Sequence, residues 1–369
     1  MEFEKINITA GSKKVLVAPL DWGLGHATRC IPIIYALLQQ HVEVIIAADG
    51  AIKNLLKKEF PNVVFTQLKG YNIRYSSNGF WLPLRLLAQL PKFVWAVYTE
   101  HKWLKKIVLT HNIDTVISDN RLGLYHSKIY CIYITHQLKI KTGNRFATWL
   151  AQKTHYFFIN KYRTCWVPDN ESENFLAGEL SHPKKLPVLP IKYLGPLSRF
   201  EKIIIEKKYD LLILLSGPEP QRTIFETILL KQLKIFTGSV LLVRGLPLYT
   251  NKTDWVFENN LTIVNHLTAN ELNKAIQQSA LVISRSGYTT IMDLVKLEQK
   301  AILVATPGQT EQEYLAAYLK NKNIFFSASQ KGFSLNEILQ NAAFFSYAPF
   351  VTINTDGYKK IVADLVKQL

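Results

Sequence analysis

Lys14-Val-Leu-Val-Ala-Pro19, then Gly23-Leu-Gly-His26, then a run with Ile31, Ile34, Leu37 and Leu38 on one face is the stretch that decides the fold. A short apolar run reads as a buried strand. The glycines read as a tight turn, and the periodic run predicts a helix starting near Ala27. The pattern repeats outward. Val42–Ala47 predicts a strand, Ile52–Lys58 a short helix, and Val63–Thr66 another strand. The rhythm resumes at Thr115-Val-Ile-Ser-Asp119 and Cys131-Ile-Tyr-Ile-Thr-His136, both ending in polar residues. Alternating strands and helices specify a parallel, doubly wound sheet, and such sheets gather ligands outside the carboxyl ends of their strands.

A second set of alternations follows Gly195-Pro-Leu-Ser-Arg199. Its strands are 210–215, 240–244, 261–264, 280–284 and 300–304. Pro183, Pro187 and Pro190 precede it, as suits a boundary. The expected class is therefore α/β: two Rossmann-like domains facing a cleft, divided as 1–198 and 199–369. Thr355–Leu369 reads as a short amphipathic helix, free to pack back on the first domain.

Composition narrows the partners. The 369 residues carry 44 Lys+Arg against 28 Asp+Glu, a formal charge of +16, with 48% hydrophobic residues. That hydrophobic fraction excludes a disordered chain, and the length suits two domains of roughly 150–200 residues each. Residues 1–195 hold 25 basic and 13 acidic side chains, and the remainder 19 and 15. A basic first half predicts an anionic partner. Cys30, Cys131 and Cys165 are odd in number and far apart, which excludes a disulfide framework and points to a reducing cytoplasm. Met1–Lys14 lacks the apolar run of a signal peptide, and no stretch reaches the about 18 apolar residues of a membrane span.

Several loops carry chemistry. In Gly23-Leu-Gly-His26 the glycines Gly23 and Gly25 allow close backbone approach to a ligand, and His26 is a base candidate near neutral pH. The competing reading is a plain turn, and Thr28 stands where a dinucleotide fingerprint needs glycine. Asp119, in Ser118-Asp-Asn-Arg121, is placed to orient His26. Its bland alternative is a helix cap or an ion pair with Arg121. His136 and Gln137 end a strand before Gly143-Asn-Arg-Phe, where a helix begins. Ser216-Gly-Pro-Glu-Pro-Gln-Arg222 offers a hydroxyl, Gly217 amides and the Arg222 guanidinium to phosphate, without the ending of a P-loop.

Ser284-Arg-Ser-Gly-Tyr-Thr-Thr290 is the strongest motif. Ser286, Gly287, Thr289 and Thr290 at a helix start suit a diphosphate, and Asp293 one turn further suits ribose hydroxyls. Pro307-Gly-Gln-Thr-Glu-Gln-Glu-Tyr314 adds Gln309, Gln312 and Glu313, groups that suit sugar hydroxyls.

These residues resemble GT-B glycosyltransferases, in particular the family that includes the UDP-N-acetylglucosamine transferase acting on the lipid-linked peptidoglycan precursor and the plant galactolipid synthases. Arg285–Asp293 is similar to that family's nucleotide motif. Gln312-Glu313 falls where the family places two glutamines on the donor sugar, the second being Glu here. His266-Leu267 lies near the uracil-reading loop. Gly195–Arg199 resembles an interdomain loop whose arginine, here Arg199, reaches the diphosphate. In the first half, Gly23–His26 resembles a glycine-rich loop ending in His. His136-Gln137 with Asn144 resembles a His-Glu-Gln-Asn segment lacking its Glu. His26 with Asp119 is similar to the His–Asp pair of small-molecule UDP-glycosyltransferases.

The resemblance implies inverting transfer of a hexose from a nucleotide-diphosphate sugar, UDP-linked, to a hydroxyl acceptor such as a lipid-linked glycan of the cell envelope. No cofactor is expected, and no divalent metal, since no Asp-x-Asp triplet occurs. A nucleotide-sugar epimerase or hydrolase on the same fold, or a non-catalytic nucleotide-sugar binder, stays open. A nucleic-acid partner is not expected, because no nucleic-acid module is recognisable. Phe80–Leu87 and Phe93–Lys106 mix aromatic rings with bases, as a segment on an anionic membrane would or as an ordinary packed helix with a solvated basic face would. The expected place is the cytoplasm, peripheral to the membrane.

Overall fold

A computed structural model of the chain describes residues 13–71, 90–142, 144–246, 255–257, 260–350 and 353–369. The described residues divide into two compact units. The first holds those up to Arg199 and those from Asn354 onward; the second runs from Phe200 to Ile353.

The first unit contains β1 (Lys14–Pro19), α1 (Leu24–Gln39), β2 (Glu43–Ala48), α2 (Gly50–Glu59), β3 (Val64–Gln67), α3 (Leu90–His111), β4 (Thr115–Asp119), β5 (Tyr130–Ile134), α4 (Arg145–Ile159), β6 (Thr164–Val167) and β7 (Ile191–Tyr193). Its seven strands pair in the order β3-β2-β1-β4-β5-β6-β7, all parallel. β1 and β4 are buried almost throughout, as expected of strands covered on both faces. The chain winds outward from β1 to β3, then returns to lay β4 on the other side of β1. That reversal is the switch point at which open α/β sheets part to admit ligands. Register places Asp119 opposite Pro19 and Ile134, at the carboxyl edge of three adjacent strands.

The second unit contains β8 (Tyr209–Leu214), α5 (Gln221–Leu233), β9 (Val240–Val243), β10 (Trp255–Phe257), β11 (Leu261–Val264), α6 (Ala269–Gln277), β12 (Ser279–Ser284), α7 (Tyr288–Lys296), β13 (Ala301–Val304), α8 (Thr310–Asn321), β14 (Phe326–Ala328) and α9 (Leu335–Ala343). Its order is β10-β11-β9-β8-β12-β13-β14, with only β10 antiparallel. The same reversal recurs between β8 and β12, where Leu214 pairs with Ser284. Phe225, Leu229, Ile213, Ile283, Ile302 and Phe333 are among the residues that fill its core.

The chain then returns to the first unit through α10 (Gly357–Gln368), which buries Tyr358, Val362 and Leu365 against α1 and β7. This division differs from the 198/199 boundary read from the sequence. Arg199 falls in the first unit, and so do the residues from Asn354, whose helix α10 buries its apolar face there as the sequence reading left open. Two other differences are local. Helix α1 begins at Leu24 rather than near Ala27, since Gly23 takes φ +90° and ends the loop at once. Strands β6, β7, β10 and β14 are only three or four residues long and carry too little pattern to be read alone. Phe80–Leu87 and Gly143 lie outside the described residues.

The return of the chain depends on Gly195, at φ +74°, where an added Cβ would sit 2.2 Å from the Asn354 carbonyl oxygen. Gly195→Ala is expected to destabilise the protein by about 1–3 kcal/mol, the cost of a strained positive φ plus a backbone clash. A urea denaturation midpoint unchanged from wild type would show that this contact does not matter.

Candidate functional site

In the first unit, residues from three strand ends converge. Because α1 starts directly after Gly23, Gly25 and His26 lie in its first turn, and Arg29 follows one turn on, on the same side of the helix. Asp119 closes β4 and is wholly buried. Its carboxylate accepts from Arg29 Nε at 3.0 and 2.9 Å, and from Arg29 Nη2. His26 Nδ1 lies 3.0 Å from Asp119 Oδ2. His136, just past β5, presents Nδ1 to Arg29 Nη1 at 3.2 Å. Cys30 places its thiol 3.8 Å from Asp119 Oδ2.

A buried carboxylate is costly unless paired. Burial by itself would raise the Asp119 pKa, but the Arg29 charge and the His26 contact outweigh it and hold the carboxyl at about 2. The pKa of His26 is lowered as well, but for a different reason. Burial, and then the neighbouring Arg29 cation, lower its pKa against the opposing pull of Asp119, so the ring is neutral at physiological pH. A neutral imidazole beside a carboxylate ionised at neutral pH is the state a general base needs. The structure thus brings His26, Asp119 and His136 together, and adds Arg29, which sequence reading passed over. The available signal was spacing: a helix beginning at Leu24 places His26 and Arg29 three residues apart. The alternative partner for Asp119, Arg121, pairs instead with buried Glu100 and donates to the Pro19 carbonyl. Gln137 follows His136, half-buried, with its amide on Thr135 Oγ1. Asn144 caps α4 through the amides of Phe146 and Ala147.

In the second unit the loops after β8, β12 and β13 leave from neighbouring strands at the same edge. Ser216 and Gly217 are exposed, Gly217 at φ +99°. Gly287 caps α7 without a side-chain hydrogen bond, and an added Cβ there would meet nothing within 4 Å. Packing therefore does not require the glycine, and open space lies before the helix terminus. Thr289, Thr290 and Asp293 lie half-buried on the first two turns.

Other residues read as ligand groups are engaged by the protein. The Arg285 guanidinium is buried, stacks 4.4 Å from the Phe225 ring, and donates to the carbonyls of Val304, Ala305 and Gln221. It ties together α5, β12 and the loop after β13. Arg222 is bound by Glu219 at 2.6 Å and Glu226 at 2.8 Å, with Arg244 sharing Glu226. In this structure its guanidinium is held by these two carboxylates. Ser286 Oγ donates to the Gln312 carbonyl. Gln312 accepts from the Thr306 amide and donates to Gln309 Oε1, and Glu313 accepts from the Gly308 amide. These side chains staple the 306–313 loop to the start of α8. Leu267 is half-buried just before the Thr268–Glu271 capping box of α6. Arg199 is half-buried at the end of the first unit's long segment. Among the described residues no group of three or more His, Cys, Asp or Glu is gathered as a metal site would need.

The fold is that of GT-B glycosyltransferases: two parallel-sheet, Rossmann-like units with their polar loops at the switch points. Residues 215–350 match the glycosyltransferase family 28 C-terminal domain. No curated protein shows significant sequence similarity to the chain. Among solved structures, the glycosyltransferase SnogD from Streptomyces nogalater is similar over 97% of this chain and 100% of its own, at 13% identity and a TM-score of 0.63. MurG from Acinetobacter baumannii is similar over 97% and 100%, at 14% identity and 0.54. A protein from Listeria monocytogenes, provisionally named a UDP-N-acetylglucosamine 2-epimerase, is similar over 97% of both chains, at 11% identity and 0.57.

The folded value of Asp119, about 2, lies below the ordinary 3.8. Its contribution to stability is therefore complete above that ordinary value and disappears as pH falls toward about 2. Asp119→Asn leaves Arg29 buried without its counter-charge and is expected to cost about 3–5 kcal/mol at neutral pH, the gap to wild type closing in acid. Urea titrations of both proteins across that range check it. A constant gap would mean the carboxylate charge is not what stabilises the site.

Proposed function

We propose that the chain is an inverting glycosyltransferase that moves a hexose from a nucleotide-diphosphate sugar, UDP-linked, to a hydroxyl acceptor without a divalent metal. The observation that carries this reading is the start of α7. A helix terminus with no side-chain cap and open space before it stands at the β8/β12 switch point, inside the segment that matches the family 28 domain. Its positive end suits a diphosphate and supports the charge that develops as the diphosphate leaves. Gly217 extends the same backbone surface, and Asp293, a turn further along, suits ribose hydroxyls. His26 takes the proton of the acceptor hydroxyl as its oxygen bonds to the anomeric carbon, the bond to the diphosphate breaks, and Asp119 orients the ring.

Nucleotide diphosphates and UDP-sugars are expected to raise the melting temperature, as ligands of the folded state do. Gly287→Ala should leave the unliganded stability within about 1 kcal/mol of wild type yet abolish that shift. His26→Ala should keep the shift and lower transfer by roughly 10²–10⁴-fold. A flat response to all nucleotide sugars would sink the reading. Release or isomerisation of the sugar from donor alone would favour the hydrolase or epimerase, whose fold the Listeria neighbour shares. Turnover unaffected by chelation is expected for a metal-independent reaction.

We further propose that the acceptor is presented at an anionic membrane surface, as a lipid-linked glycan of the cell envelope would be. The support is α4. Its inner face buries His155 and Ile159, while Phe146, Trp149, Leu150 and Phe157 are exposed. Lys153 lies over the Trp149 ring and Lys161 over Phe157, and the helix contains no acid. Apolar rings with flanking lysines fit the headgroup layer of an anionic bilayer. Val94, Trp95 and Tyr98 of α3 are exposed as well. No described helix is long and apolar enough to cross a membrane. Co-sedimentation with phosphatidylglycerol vesicles is expected, weakened by salt and by the paired change Trp149→Ser, Phe157→Ser; equal recovery with and without vesicles would remove the claim.

A further inference from the structure

The two histidines of the first unit meet one cation. Arg29 Nη1 lies 3.2 Å from His136 Nδ1, and Arg29 Nη2 lies 2.8 Å from His26 Nδ1. A guanidinium has five N–H donors and no acceptor, and its charge is permanent. A ring nitrogen at that distance must offer it a lone pair or be repelled by it. His136 therefore carries its proton on Nε2.

His26 is different, because Asp119 Oδ2 lies 3.0 Å from the same Nδ1. An ionised carboxylate only accepts, so it asks for a proton where Arg29 asks for a lone pair. One ring atom can meet only one of these demands. In the first arrangement His26 donates Nδ1–H to Asp119 and keeps a basic lone pair on Nε2. In the second it accepts from Arg29 at Nδ1 and its proton sits on Nε2, where it can donate but not act as base. The charged and titratable groups around His26 are Arg29, Asp119, His136, the Cys30 thiol and the buried Tyr133 hydroxyl, from α1, β4, β5 and its end.

We propose that Arg29 is a positioning residue that gives the two histidines different roles, locking His136 as an Nε2–H donor and contesting His26 Nδ1 with Asp119. The base-competent form of His26 is then one of two tautomers. An acceptor hydroxyl that donates to Nε2 selects it, since only that form has a lone pair there. His136 acts as a fixed hydrogen-bond donor and not as a second base. The catalytic consequence rests on the transferase reading; the tautomer assignment does not.

The test is long-range ¹H–¹⁵N correlation NMR on the full chain labelled at histidine nitrogen, recorded between about pH 5 and 8, with His26→Gln and His136→Gln giving the assignments. In wild type, His136 Nδ1 is expected at the shift of an unprotonated ring nitrogen, and His26 as an averaged pair of tautomers. In Arg29→Met, His136 should populate both tautomers, and His26 should move to the Nδ1–H form with its titration midpoint raised. Arg29→Lys keeps the charge but lacks the fork, so it should release His136 while leaving His26 neutral near pH 7, and it serves should the Met variant fail to fold. A wild-type His136 protonated at Nδ1 overturns the proposal without any variant. So does an Arg29 variant that folds and leaves both rings unchanged. Should tautomers behave as stated and no sugar transfer be found, the role of Arg29 stands and the transferase reading falls. Where transfer is found, Arg29→Met should move the acid limb of kcat/KM to higher pH, as the raised His26 midpoint requires and as loss of packing alone would not do.

Discussion

A carboxylate sealed from water has to be neutralised where it stands, and Asp119 is sealed completely. Its pairing with Arg29 is the interaction from which the first unit's site follows. The pair joins β4 to α1 across the point where the sheet reverses direction, so the first turn of α1, with His26, is held against the ends of β4 and β5. Burial first, and then the same cation, lowers the basicity of His26, and Arg29 Nη1 faces His136 Nδ1. One buried ion pair therefore sets the position and the charge balance of the site.

The second unit reaches a comparable edge by another route. Few charges are buried there; most of its polar loop groups satisfy one another. Ser286, Gln309, Gln312 and Glu313 close the 306–313 loop on itself, and Arg285 braces it from beneath through the carbonyls of Val304 and Ala305. Gly217 is exposed, and open space lies before Gly287 at the start of α7. A surface of backbone N–H groups on a braced frame suits an anion whose charge changes during reaction, since the donors need no rearrangement.

Much of this was legible along the chain. The short apolar runs within 14–19, 115–119, 210–215 and 280–284, alternating with helices, declare parallel strands, and the glycine at 287 marks a helix start, although the first helix begins earlier than its periodicity suggests. The functional value of each polar residue was less legible. Arg222, Arg285 and Gln312 look like ligand groups by type and position, yet in the fold Arg222 is paired with Glu219, Gln312 accepts from the Thr306 amide, and Arg285 donates to the distant Gln221 carbonyl. Arg29 drew no attention along the chain, because Asp119, its partner, lies 90 residues away and only β4 brings it near.

The sequence by itself determined the two doubly wound units, the loops that leave their carboxyl edges, and the basic bias of the first half, because hydrophobic period and glycine position are local properties of a chain. Tertiary structure alone decided which polar groups face each other. It joined Arg29 to Asp119 and both histidines, turned Arg285 inward onto Phe225, and carried the last helix back to the first unit. Those outcomes depend on which strands become neighbours, and strand order is set by burial of the whole sheet rather than by any segment within it.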